Sequence, residues 1–166
     1  MRKMILVALL IAAGLGLSAS ALPGYPYPTV WGTVIQVLDG NQIVIQVVGS
    51  TNNEWIAESQ ETVRYIGSYA DSPDVGCGGV AAQVNYQMTF GRLVYLEFDQ
   101  ALRDSDGVVL AYVYLDGGGY SMVNAMLVAM GISKATVMAP NERYSSVFLD
   151  LERTAYNHQL GCIVAR

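Results

Sequence analysis

Five short runs rich in β-branched and aromatic residues, separated by glycine-containing turns, constrain this chain more than any other feature. Thr29 to Leu38, Gln42 to Val48, Glu61 to Ile66, Arg92 to Phe98 and Val108 to Leu115 have the length and composition of strands. Asp39-Gly40 is a hairpin turn signal, and Gly49 to Asn53 is a turn cluster. In the third run Val63 and Tyr65 share one face, and Arg64 takes the other. Gly67 to Gly79 reads as loop, and Val80 to Phe90 as a short helix. Asp104-Ser105-Asp106-Gly107 is a turn before the fifth strand, and Gly117-Gly118-Gly119 closes that strand. A second helix, capped at Ser121 or Asn124, should run to Met130 with Gly131 at its end. A third should open at Pro140-Asn141 and end near Leu160-Gly161. The expected class is α+β dominated by β: a five-stranded OB-fold barrel with three helices.

The N-terminus reads as a targeting segment. Arg2 and Lys3 precede an apolar stretch from Met4 to Leu17, and Ala19-Ser20-Ala21 offers a small-residue cleavage site. Residues 1–21 are therefore expected to be a signal peptide, which implies export to a periplasmic or extracellular space and leaves no later span for a membrane. Residues 22–29, Leu-Pro-Gly-Tyr-Pro-Tyr-Pro-Thr, form an extended Pro/Tyr-rich lead, and residues 30–166 one domain.

Charge narrows the function. The chain has nine Lys and Arg against 14 Asp and Glu. Loss of Arg2 and Lys3 lowers the net charge to about −7, and the remaining cations are scattered singly. Strong non-specific nucleic-acid binding needs clustered cations and is not expected. An acidic surface suits a cationic or envelope partner. A single histidine, His158, excludes multi-histidine metal sites, and two cysteines exclude a four-thiolate zinc site. In an oxidising compartment Cys77 and Cys162 read first as one disulfide, with two buried thiols as the alternative. Gly117-Gly118-Gly119 is not a phosphate loop, because no Lys-Ser or Lys-Thr follows.

Leu110-Ala111-Tyr112-Val113-Tyr114, Asp116-Gly117, Val123-Asn124, Leu127-Val128, Gly131, Pro140, Phe148, Glu152 and Leu160-Gly161 occur in an order that resembles the thermonuclease, or staphylococcal-nuclease-like, family. Val37-Leu38-Asp39-Gly40 and Val63-Arg64-Tyr65-Ile66-Gly67 extend the resemblance to about Trp31 to Ile163. The resemblance implies an OB barrel and calcium-dependent cleavage of phosphodiesters. In such a site a hard cation takes oxygen ligands, two arginines neutralise charge on the phosphate and a glutamate handles the attacking water. It also implies that the segments bearing Cys77 and Cys162 lie on the same side of the molecule.

Transferred residue by residue, the resemblance points to a degenerate site. Asn41 stands at the first metal carboxylate, where it offers a carbonyl without charge. Arg64 matches the first phosphate arginine. With two inserted residues, Asp71-Ser72-Pro73-Asp74 matches the acid loop. Asp71 is then the second metal ligand and Asp74 a shorter replacement for the glutamate. Without the insertion Tyr69 to Ser72 occupy those positions and both acids are lost. Val108 replaces the second arginine, and Arg103 precedes the turn and should point elsewhere. Thr136 and Met138 fall near the base-stacking tyrosines, while Tyr112 and Tyr114 read as barrel packing. Calcium binding, if retained, should be weak. Two functions follow: an exported binding or structural module, or a calcium-dependent nuclease with a rearranged site.

Overall fold

The computed structural model describes residues 30–51 and 60–162. The expected signal peptide, the lead and the extreme C-terminus lie outside the described residues. Strands β1 (Val30–Val37), β2 (Gln42–Ser50), β3 (Gln60–Tyr65), β5 (Leu93–Glu97) and β6 (Val109–Tyr114) close a barrel in the order β1-β2-β3-β6-β5. All neighbours are antiparallel except β3 and β6, which run parallel. The barrel is the OB-type, strand-dominated architecture that the strand count implied. Helices α1 (Gly78–Thr89), α2 (Val123–Ala129) and α3 (Ser145–Asn157) complete it. Two short strands, β4 (Ser68–Tyr69) and β7 (Lys134–Ala135), pair within what the sequence presents as loop.

Alternation explains the barrel. On β2 and β3, Ile43, Ile45, Val63 and Tyr65 are buried inside, while Arg64 is half-buried on the other face. Strand β6 is buried on both faces: Val109, Ala111 and Val113 join the barrel interior, and Leu110, Tyr112 and Tyr114 pack with Phe148 of α3 and Val128 of α2. Tyr112 and Tyr114 are thus core residues, as their strand position implied.

The helix boundaries correct the sequence reading. Neither Ser121 nor Asn124 caps α2, whose N-cap is Met122 without a side-chain bond. Asn124 is fully buried instead. Its amide donates to the Ile66 and Ala111 carbonyls, and its oxygen accepts the Val113 N–H. It satisfies backbone groups where the parallel β3–β6 pair opens. Helix α3 begins later than Pro140-Asn141. The Asn141 side chain binds both the N–H and the carbonyl of Ala101, at 2.7 and 2.8 Å, and holds this segment against the barrel before the helix starts.

A second polar cluster locks α3 in place. Glu97, 3% exposed, accepts hydrogen bonds from Tyr114 Oη at 2.6 Å, Tyr144 Oη at 3.0 Å and Arg143 at 2.5 Å. Asp99 accepts from Tyr112 Oη and from the Arg143 backbone. Burial, then the carboxylates beside them, pushes the hydroxyls of Tyr112 and Tyr114 well above the ordinary phenol range, so both remain donors.

Candidate functional site

The β1–β2 turn is the keystone of the site. Asp39 folds back on it, accepting the Asn41 N–H at 2.8 Å and Gln42 Nε2 at 2.9 Å. Gly40 sits where a Cβ would approach the Ala70 and Ala81 methyl groups to 2.5 Å, so the turn can nestle between the loop and α1 only as glycine. From below, Tyr65 Oη donates to Asn85 Oδ1 at 2.8 Å, and Asn85 Nδ2 donates to the Asp39 carbonyl at 2.9 Å. Desolvation raises the Tyr65 hydroxyl pKa far above its ordinary value, against smaller lowering contributions from Asn85 and Thr89. The hydroxyl therefore stays a donor and the turn stays fixed.

Asn41 follows directly. It is 8% exposed, its carbonyl accepts the Tyr65 N–H, and its Nδ2 donates to the Ser68 carbonyl at 3.1 Å. That last bond requires an amide, because a carboxylate there would face another acceptor.

Asn41, Arg64 and Asp71 line one pocket of about 470 Å3, together with Asp39, Ser68, Tyr69, Ser72, Pro73, Thr136 and Met138. Asp74 is exposed and does not line it. Val108 is half-buried outside the lining, with its N–H on Asp104 Oδ1 at 3.0 Å. Arg103 turns away, as its position implied, and pairs with Glu61 at 2.6 Å.

Two residues that the sequence reading did not single out set the electrostatics. Asp104 is pinned by the N–H groups of Asp106 and Val108 on Oδ1, and its Oδ2 forms an ion pair with Arg64. Lys134 Nζ lies 3.8 Å from Asp71 Oδ1. The only advance signal for Asp104 was its place in a polar turn. Lys134 had none, because the β4–β7 pairing that brings it to Tyr69 and Asp71 is nonlocal.

A calcium ion takes about six to eight oxygen ligands, several of them carboxylates. The pocket is lined by two carboxylates, Asp39 and Asp71, and Asp71 already faces Lys134. It adds the Asn41 amide and the buried Ser68 hydroxyl, which has no hydrogen-bond partner. Both Asp39 oxygens hold the turn. Among the described residues no group of three or more His, Cys, Asp or Glu could hold a metal. The lining thus supplies oxygen donors but, among the described residues, no cluster of three carboxylates.

Cys77 and Cys162 are joined in a disulfide, with Cα atoms 5.7 Å apart. His158 is exposed beyond the end of α3.

The comparisons agree with this architecture. The sequence model of the family "Staphylococcal nuclease homologue" matches residues 74–162, so Asn41, Arg64 and Asp71 lie before the matched segment. The chain is similar to the thermonuclease of Staphylococcus intermedius, with 28% identity over 130 residues, 77% of this chain and 73% of that protein. It is similar to the thermonuclease of Staphylococcus hyicus, with 30% identity over 113 residues, 67% of this chain and 62% of that protein. With more than half of its length inside the family match, and a barrel of the implied order, the chain belongs to the staphylococcal nuclease homologue family.

Proposed function

We propose that this chain is an exported nuclease-fold domain whose pocket no longer supports efficient phosphodiester cleavage and which serves as a binding or structural module. The observation that carries this reading is internal charge pairing. Arg64 is matched by Asp104, Lys134 by Asp71, and valine stands at position 108. Phosphoryl chemistry needs donors held ready for charge that develops in the transition state, and loss of one such donor typically costs about 100- to 1000-fold in rate. Calcium binds weakly, since of the two carboxylates lining the pocket Asp39 already holds the turn and Asp71 faces Lys134. The acidic balance of the chain favours a cationic or envelope partner over nucleic acid. Export accords with the N-terminal pattern and with the disulfide. Among the described residues no helix is long and apolar enough to cross a membrane.

The second reading, a calcium-dependent phosphodiesterase with a rearranged site, draws on one observation: Asn41, Arg64 and Asp71 still share a pocket. Digestion of plasmid and single-stranded DNA, with calcium and with chelator, separates the two. The first reading expects no calcium-dependent products above background, and robust metal-dependent cleavage would sink it.

A further inference from the structure

The wall of the pocket that carries Asp71, Ser72 and Pro73 is thinly anchored. It lies between two small core residues, Ala70 and Ala81. Between them only Cys77 and Gly78 are buried, and residues 72–76 are all exposed. Val75 N–H donates to Ser72 O, Gly78 N–H to Val75 O and Ala81 N–H to Cys77 O, all within the loop and the first turn of α1. Gly78 packs straight onto the wall: a Cβ there would meet the Ser72 carbonyl oxygen at 2.0 Å and that of Asp71 at 2.4 Å. Gly78, next to Cys77, is thus in direct backbone contact with Asp71 and Ser72.

The other half of the disulfide is equally isolated. After Ala155 the chain is exposed through Gly161, and only Cys162 packs partly against the core. Its N–H donates to the Gly131 carbonyl at 3.1 Å, and Gly161, at φ +63°, lies against the Met130 and Gly131 carbonyls. Gly131 leads through Ile132 and Ser133 to Lys134, the residue that faces Asp71. The bond thus joins two segments that each lack any other buried side chain, at the point where they flank one pocket wall.

We propose that the Cys77–Cys162 disulfide positions the acidic wall of the pocket, which keeps its shape only in the oxidised protein. Reduction by a dithiol transfers two electrons and two protons to the bond, and the reductant closes to its own disulfide. The two cysteines become thiols, and residues 71–77 and 158–162 separate from the body while the barrel, held by its own strand ladders and core, stays folded. This inference concerns how the wall is held and does not depend on what the pocket binds.

Amide hydrogen exchange on the full chain tests it. The oxidised protein is compared with the dithiothreitol-reduced protein and with the Cys77→Ser/Cys162→Ser variant. The reporters are the N–H groups of Val75, Gly78 and Cys162 for the wall and those of Tyr65 and Ile66 for the barrel. Breaking the bond should speed exchange of the wall reporters by about 30-fold or more, and of the barrel reporters by less than about threefold. Equal acceleration everywhere, including complete unfolding of the reduced protein, would make the bond a general stabiliser and overturn the proposal. No acceleration at the wall would overturn it as well. In a third arm, Asp71→Asn in the oxidised protein should leave the wall reporters unchanged. Release of the wall in that variant would assign the anchor to the Lys134 ion pair instead.

Discussion

The Glu97 cluster and the Asn41–Arg64–Asp71 pocket are both assemblies of polar side chains on barrel strands, and they manage their charges in opposite ways. At Glu97 a buried carboxylate collects two tyrosine hydroxyls and a guanidinium, and α3 closes over it. Three donors converge on Glu97, and Arg143 reaches Asp99 as well, so the cluster works as a clamp. At the pocket the charges are settled pairwise, Arg64 with Asp104 and Lys134 with Asp71, across an open concavity. Asp104 also accepts two backbone N–H groups of its own turn, but each ion pair joins a single cation to a single carboxylate. A buried ion whose several partners depend on it is costly to disturb, whereas half-exposed pairs yield more cheaply.

The sharpest way to break this contrast is Glu97→Ala. It leaves Arg143, Tyr114 and Tyr144 without their common acceptor, and should lower unfolding stability by about 3 kcal/mol, the low end for a broken buried pair because Arg143 is 37% exposed. Urea denaturation measures it. A loss below about 1 kcal/mol would mean that the clamp is no stronger than a surface pair.

Asn41→Asp probes the pocket side. It removes the donor to the Ser68 carbonyl and sets two acceptors face to face, so in chelator it should cost about 1–3 kcal/mol. The new carboxylate also adds charge beside Asp71, so millimolar calcium should restore part of that stability, while the parent protein shows little response. A variant as stable as the parent in chelator would show that the Asn41–Ser68 bond contributes nothing.

A smaller effect belongs to Asp116 at the end of β6. Burial alone would raise its pKa, but hydrogen bonds from Ser121, Tyr120 and Gly118 outweigh it and hold the carboxyl below its ordinary value. A depressed folded-state pKa stabilises the fold above the unfolded-state pKa, and that contribution fades as pH falls through the folded value. Asp116→Asn should therefore cost about 0.5–1 kcal/mol at neutral pH, after allowance for solvent screening, and nothing in strong acid. Parallel stability curves for variant and parent across pH 2–7 would contradict this.

Least perturbing of all should be Val108→Arg, a half-buried turn position whose stability should move by no more than about 0.5 kcal/mol. Its interest lies in combination. With Asn41→Asp it returns charge to both the metal and the phosphate side, and DNA cleavage should rise by more than the two single variants imply together. Additive or absent gains would mean that Asp71 does not act with them.

Much of the barrel was legible in the chain because strand alternation is local. Val63 and Tyr65 inside, Arg64 outside, and the Asp39-Gly40 turn follow from residues within a few positions of each other. Helix starts were less legible. An asparagine that caps a helix and one that satisfies an opened strand pair look the same in sequence, and Asn124 is the second kind. The resemblance named Asn41, Arg64 and Asp71, and the fold gathers them. It could not reveal that Asp104, 40 residues from Arg64, claims its guanidinium, nor that Lys134 faces Asp71. What the sequence alone determined is the five barrel strands and the three helices, since burial periodicity is written residue by residue. What only tertiary structure decided is which charges neutralise one another. Such pairings depend on distances between side chains that barrel closure, the parallel β3–β6 contact and the β4–β7 bridge bring together, and no local pattern encodes those distances.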